Sequence, residues 1–125
     1  MKRLLILISF IIISTISQAR VSYYKAYLFI TNSTGTITEQ KVNITIQMDN
    51  EKNQITIYDK TIKVLNFRPF KDSTGASSVY LHTYGIDNNN KKIEIIINIM
   101  STEKIIFSIW YSEYSDHYFM QLLPD

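Results

Sequence analysis

The two histidines, His82 and His117, are the first candidates for acid–base or metal chemistry, because imidazole changes its charge near neutral pH. They lie in separate segments, and neither forms an HxH or HExxH pattern. A zinc site needs three or four ligands, and the chain has no cysteine to supply a thiolate. The segment from Asp87 to Asn90 offers oxygen ligands but lacks the bidentate glutamate of a calcium loop, so it indicates a hairpin turn. We predict no metal ligand and no cofactor.

Motifs for nucleophilic catalysis and for phosphate binding are missing from the sequence. The absence of cysteine excludes thiol nucleophiles. The three glycines, Gly35, Gly75 and Gly85, form no GxSxG, GxxxxGK or GxGxxG motif. Hydrolysis by a serine nucleophile and nucleotide binding through a glycine-rich loop are therefore not indicated.

A pair of carboxylates is the remaining route to acid–base catalysis. Glu103, Glu113 and Asp116 fall mostly in expected turns or on the polar side of an alternating segment. Glu94 has close apolar neighbours and is expected to face Trp110 across a hairpin, where a strand glutamate normally extends to water. We therefore predict no catalytic residue and a protein that is not an enzyme.

Aromatic side chains are the most informative positive feature, with nine tyrosines, six phenylalanines and one tryptophan. In the segment from Val79 to Tyr84, one face carries the aliphatic residues and the other carries Tyr80, His82 and Tyr84. This aromatic face would form a surface patch, or it would line a cavity with hydroxyl and imidazole groups suited to a small ligand. The predicted ligand-binding residues are Tyr80, His82, Tyr84, Trp110 and Tyr118, with Tyr111, Tyr114 and Phe119 as further aromatic candidates.

Alternation of apolar and polar residues with period two runs through the chain after residue 20, which predicts β-strands throughout. Short segments rich in Asn, Asp and Gly separate the strands and favour antiparallel hairpins. Only Thr31 to Gln40 looks like a longer loop, and part of it, Thr36-Ile37-Thr38, could extend a strand. The roughly eight candidate strands are Ser22–Thr31, Lys41–Met48, Gln54–Tyr58, Thr61–Phe67, Ser77–Tyr84, Lys92–Met100, Lys104–Ser112 and His117–Leu123.

The last three candidate strands predict one shared apolar face, because a register slip of one residue would turn every apolar side chain away from it. The first hairpin pairs Ile99 with Ile105, Ile97 with Phe107 and Ile95 with Ile109. The second, with a loop from Glu113 to Asp116, pairs Tyr111 with Tyr118, Ile109 with Met120 and Phe107 with Leu122.

The opposite face of these strands is half apolar, which predicts a contact surface for a partner chain or for a second copy. In the same register Trp110 lies opposite Phe119, and Ile106 lies opposite Leu123. The predicted interface residues are Ile96, Ile106, Trp110, Phe119 and Leu123.

An all-β meander of this size predicts a single domain that either closes into a barrel or folds into a two-layer sandwich. Short sequential links favour the barrel. The general form is similar to that of small exported eight-stranded β proteins, including the lipocalin-like group. The N-terminal Gly-x-Trp of lipocalins is missing here, since the one tryptophan is Trp110.

The N-terminal segment resembles a cleavable secretory signal. Basic Lys2 and Arg3 precede an apolar run from Leu4 to Ile13, and small Ser17 and Ala19 follow at the positions that signal peptidase accepts. We predict a signal peptide at residues 1–19 and a β domain at residues 20–125. The run is too short for a membrane span, and the lack of cysteine in an exported chain favours a bacterial periplasmic or extracellular protein.

Cleavage would also change the charge of the chain. Loss of Lys2 and Arg3 would leave 11 of the 13 basic residues against 11 acidic ones, so basicity gives no reason to expect a nucleic-acid partner. The sequence predicts an exported non-enzymatic domain that binds a small or oligomeric ligand through an aromatic-lined cavity or face. The alternative is an interaction module that packs its half-apolar face on a protein partner or forms a homo-oligomer.

Overall fold

The computed structural model describes residues 21–74 and 79–124, so the predicted signal at residues 1–19 and the start of the predicted strand Ser77–Tyr84 lie outside the described residues. The described chain is all-β and contains no helix long and apolar enough to span a membrane. Its strands are β1 (Val21–Ser33), β2 (Thr36–Asp49), β3 (Gln54–Tyr58), β4 (Ile62–Phe67), β5 (Lys71–Thr74), β6 (Val79–Ile86), β7 (Lys92–Ser101), β8 (Lys104–Trp110) and β9 (Tyr114–Leu122).

Eight of these strands close into an antiparallel barrel. The order around the sheet is β4-β3-β2-β1-β9-β8-β7-β6, and pairing of β4 with β6 completes the ring. The short β5 pairs with β6 alone. Consecutive strands are neighbours except β4 and β5, which each pair with β6, and the first strand β1 pairs with the last strand β9. This arrangement confirms the predicted meander and selects the barrel over the sandwich.

The seam between β4 and β6 depends on a glycine. Phe67 pairs with Gly85, and a Cβ atom on Gly85 would lie 2.1 Å from the carbonyl oxygen of Asn66. Pro69 then prevents β4 from continuing, because proline has no amide hydrogen to donate to a neighbouring strand. The Arg68 amide donates to the carbonyl of Tyr84 (3.0 Å), which holds the bend against β6.

The interior of the barrel is filled by side chains from alternate strand positions. Burying each aliphatic side chain contributes about 1.5–3 kcal/mol, so a row of isoleucines supplies much of the driving force for closure. An eight-stranded barrel is just wide enough for such side chains to fill it. The largest fully buried apolar side chains are Phe107, Ile46, Ile55, Ile57, Leu65, Ile95, Ile109 and Met120.

The prediction of a long loop from Thr31 to Gln40 is wrong, although the possible strand at Thr36-Ile37-Thr38 is confirmed as part of β2. β1 and β2 continue through this segment as a long hairpin, which turns at Thr34 and Gly35 with positive φ angles of 47° and 82°. Two positive φ values in a row suit the right-handed twist of a two-residue hairpin. The polar threonines of this segment are thus strand residues that extend beyond β3.

The first of the two predicted C-terminal registers is confirmed, and the second is wrong. β7 and β8 pair Ile95 with Ile109 and Ile97 with Phe107, as expected. In the next hairpin Ile109 lies opposite Asp116 instead of Met120, a shift of four residues. The physical reason is a tighter turn, in which the Tyr111 amide donates to the Tyr114 carbonyl (2.8 Å) and β9 starts earlier.

Because the shift is even, every side chain keeps its predicted face, but its opposite neighbour changes. Trp110 lies opposite Ser115 rather than Phe119, and Ile106 lies opposite Phe119 rather than Leu123. Asp116 was expected in the loop and instead faces the interior.

Candidate functional site

Three outward-facing residues form a line across the sheet, which we call the outer row: Tyr84 on β6, Glu94 on β7 and Trp110 on β8. Tyr84 pairs with Glu94, and Glu94 pairs with Trp110, as the sequence predicted for the second pair. Tyr84 is 57% exposed and Trp110 is 42% exposed. With strands about 4.8 Å apart, the two aromatic residues are separated by about 10 Å along the row.

His82 lies beside the row and orients two of its members. Its Nε2 is 2.5 Å from Oε2 of Glu94, and its ring meets the Tyr84 ring edge-on with centroids 4.9 Å apart. The imidazole thereby restricts both the carboxylate and the tyrosine. Glu94 keeps its other oxygen for a ligand, since this carboxylate is only half-buried.

His117 supports Trp110 from the other side. The two rings meet edge-on at 5.4 Å, and His117 bridges the Ser108 hydroxyl (2.7 Å to Nδ1) and the Ser115 hydroxyl (2.9 Å to Nε2). Burial lowers the pKa of His117, although the nearby Asp116 carboxylate opposes this shift. The imidazole is therefore neutral at pH 7 and acts as a fixed support for the indole.

The other two predicted ligand-binding residues do not belong to the outer row. Tyr80 lies near the start of β6 on the same outer face, opposite Asn98, and is 38% exposed. Tyr118 lies inside the barrel, where it is 2% exposed and contacts Phe29 with centroids 4.8 Å apart. Burial, with the nearby Asp116 charge, raises the pKa of the Tyr118 hydroxyl. The predicted set is therefore divided between the surface and the core.

The predicted interface residues are also only partly brought together. Ile106 and Phe119 are paired, and both are half-buried on the outer face near Ile96. Leu123 follows the end of β9 at the opposite end of the barrel from Trp110, where its amide donates to the Tyr23 carbonyl (2.9 Å). The sequence reasoning missed the half-buried Leu28 and Ile30 of β1, which extend the apolar surface because they pair with outward residues of β9.

An open groove of about 510 Å³ lies next to one end of the outer row. Tyr84 forms part of its wall, together with the exposed cations Arg68 and Lys92. The groove follows the seam at Gly85, where β4 leaves the barrel wall. A ligand on the row would thus have a depression with two cationic side chains at the Tyr84 end.

The loop between β6 and β7 closes the same end of the barrel. The buried Asp87 carboxylate accepts hydrogen bonds from the amides of Asn89 and Lys91 (both 2.9 Å) and from the Tyr111 hydroxyl (3.1 Å). Burial acts to raise the pKa of Asp87, but these three donors, with the charge of Lys91, hold it below its usual value. The loop is therefore a turn organised by its own aspartate, as predicted.

Comparisons with protein-family models, with curated proteins and with solved structures find no match for this chain. Function can therefore be inferred only from the geometry of the barrel.

Proposed function

We propose that this protein is a non-enzymatic binding domain, and that the outer row holds an oligosaccharide. The observation that supports the proposal is the arrangement of Tyr84, Glu94 and Trp110, in which two exposed rings flank a carboxylate on the outer face of the barrel. Sugars present flat apolar faces that stack on aromatic rings and hydroxyl groups that donate to carboxylates. This narrows the small or oligomeric ligand expected from the sequence to a chemical class.

Preorganisation of the row also supports binding. Each ring has a histidine packed against its edge, and each histidine is itself hydrogen-bonded, to Glu94 or to the two serines. Side chains that are already ordered lose less conformational entropy when a ligand binds. The separation of about 10 Å between the rings favours a ligand of more than one sugar unit over a single ring.

We favour the outer face over an interior cavity because the described interior is occupied by buried aliphatic and aromatic side chains. The only tyrosine of the predicted ligand set that faces inward, Tyr118, is packed against Phe107 and Phe29.

Titration with soluble oligosaccharides, neutral and acidic series in parallel, tests the proposal. Trp110 is the only tryptophan of the chain, so its fluorescence reports directly on the row. We expect saturable changes in emission with at least one series. Calorimetry should show that Trp110→Ala and Tyr84→Ala each weaken the binding affinity about tenfold or more, since aromatic anchors dominate such contacts. Preference for the acidic series would assign Arg68 and Lys92 to the site.

Tyr27→Ala is the matched control, because Tyr27 is 43% exposed but lies on β1, away from the row. It should bind as the unchanged protein does. Failure of every series to change the emission, or equal weakening by the control, would refute the oligosaccharide site.

The alternative is a protein partner that covers the half-apolar surface of Ile96, Ile106 and Phe119. One observation favours it: Asn98, in the same area, has a buried side-chain oxygen without a hydrogen-bond partner in the described residues. Ile106→Ser would separate the two functions, since it should weaken a protein contact and leave sugar binding at Trp110 unchanged.

Export is a further part of the proposal. It depends on the order of basic, apolar and small residues at positions 1–19, which is typical of a secretory signal. A binding domain for extended sugars would meet such ligands outside the cytoplasm.

A further inference from the structure

The outer half of β2 has an unpaired edge. β2 pairs with β1 from Thr36 to Asp49, with a register shift between Lys41 and Ile44, but pairs with β3 only from Thr45 to Asp49. No other described strand lies along residues 36–43. Every side chain from Thr36 to Lys41 is exposed, and Ile37, at 68%, is the most exposed large apolar residue in the described chain.

An open edge of this length presents free amide and carbonyl groups to a further strand. The sequence of the edge is complementary to itself when two copies run antiparallel with Gln40 opposite Gln40. In that register Glu39 of each copy lies opposite Lys41 of the other, which forms two ion pairs related by a two-fold axis. Ile37 then lies diagonally next to Lys41 of the second copy, whose aliphatic stem covers it.

Neighbouring registers are less favourable. Moving the centre to residue 39 or 41 places Glu39 opposite Glu39 or Lys41 opposite Lys41, and like charges directly opposite each other destabilise a strand pair. A slip that mixes odd with even residues would set outward side chains against inward ones. Charge pairing and the inward or outward direction of the side chains therefore favour the register with Gln40 opposite Gln40 among those centred near residue 40.

The geometry of the hairpin permits this pairing. β1 and β2 extend beyond β3, so the second copy would approach from the hairpin tip, and the two barrels would lie at opposite ends of the shared sheet. The strand order across the contact would be β1-β2-β2-β1.

We propose that the protein forms a two-fold dimer through antiparallel pairing of the β2 edges, with residues 36–43 of each copy in contact and Gln40 on the axis. This interface is separate from the outer row and does not depend on the proposed sugar site. The sequence predicted a homo-oligomer only as an alternative, through the half-apolar face, and the β2 edge is a different surface.

Sedimentation velocity over a concentration series tests the proposal. The protein is expressed from the full gene, including its own N-terminal segment, and is used as purified. We expect twice the monomer mass at high concentration. Glu39→Lys and Lys41→Glu should each reduce the mass twofold, because each places like charges opposite one another. The double variant Glu39→Lys/Lys41→Glu should restore the dimer, since it exchanges the charges and keeps the pairs.

Cross-linking checks the register independently, because the chain has no cysteine of its own. Gln40→Cys should give a covalent dimer on oxidation, since directly opposite strand residues lie within disulfide range. Ile37→Cys should not, because Ile37 of the second copy would be about 20 Å away along the strand. A monomer at all concentrations, a dimer unaffected by Lys41→Glu, or equal cross-linking of both cysteine variants would overturn the proposal.

Discussion

Lys63 and Asp116 contact each other across the barrel, with Nζ 3.7 Å from Oδ2, although β4 and β9 stand on opposite sides of the ring. Asp116 is nearly fully buried and also accepts a hydrogen bond from the Thr31 hydroxyl (3.0 Å). Lys63 enters from the rim, where about a third of its side chain remains exposed. The ion pair therefore closes one end of the apolar interior.

Removal of the lysine should destabilise the barrel because, among the described residues, it leaves a buried carboxylate with only Thr31 as its side-chain donor. Lys63→Met is expected to lower the free energy of unfolding by about 1–2 kcal/mol, less than for a fully buried pair because Lys63 is partly hydrated. The double variant Lys63→Met/Asp116→Leu should recover most of that loss, since apolar replacement of both partners removes the unpaired charge. Urea unfolding followed by Trp110 fluorescence measures the stability of Lys63→Met, Asp116→Leu and the double variant. A loss in the double variant as large as the sum of the two single losses would contradict the coupling.

Gly85 should be the least replaceable glycine of the described chain. Gly85→Ala would set a methyl group against the Asn66 backbone, where the two strands of the seam meet, and is expected to cost about 2–4 kcal/mol. Gly35→Ala is the control: its φ of +82° is unfavourable for alanine, but no atom lies within 4 Å, so about 1 kcal/mol is expected. Thermal unfolding compares the two, and equal losses would show that the close approach at the seam is not limiting.

His117 should make the stability depend on pH. Its pKa is lowered in the fold by burial, so between the folded and unfolded pKa values the unfolded chain binds the extra proton. Stability should therefore fall as the pH decreases below about 6.5. His117→Gln should weaken this dependence, because it removes the buried imidazole. Urea midpoints measured at about pH 7 and pH 5 test this prediction. If the midpoint of His117→Gln changed with pH as much as that of the unchanged protein, the prediction would be contradicted.

Export should leave a defined N-terminus. If residues 1–19 are a signal, the chain recovered from the periplasm or medium of a bacterial host begins at Arg20. Mass spectrometry of the intact protein measures this directly. Ala19→Leu should block cleavage for steric reasons, and recovery of the full-length chain in the cytoplasm from the unchanged gene would contradict the assignment.

Local sequence patterns were sufficient for most of the fold. Alternation identified the strands, and the apolar runs of β7 and β8 fixed their register because any odd slip would expose isoleucines such as Ile95 and Ile97. The register of β9 could not be fixed in this way. A shift of four residues keeps every face, so only the turn at Tyr111 and Tyr114, stacked at 4.4 Å, decides it.

The candidate site was harder to predict, because it depends on which face of β6 points outward. The pattern from Val79 to Tyr84 left Tyr80, His82 and Tyr84 free to face a cavity or the solvent, and barrel closure places them outside. The contact of Lys63 with Asp116 has no local signal at all, since it joins strands that meet only through the closed ring.

Pairing of the first strand with the last also determines when the barrel can form. Thr31 and Asp116, 85 residues apart in the chain, become neighbours only when β9 docks on β1. Contacts between such distant residues require the loop between them to close, which costs entropy before the contacts stabilise the fold. Proteins dominated by such contacts fold in milliseconds to seconds. Until that step, β1 and β9 each have one open edge, so ring closure removes those two edges and leaves the outer half of β2 as an edge that remains open in the described chain.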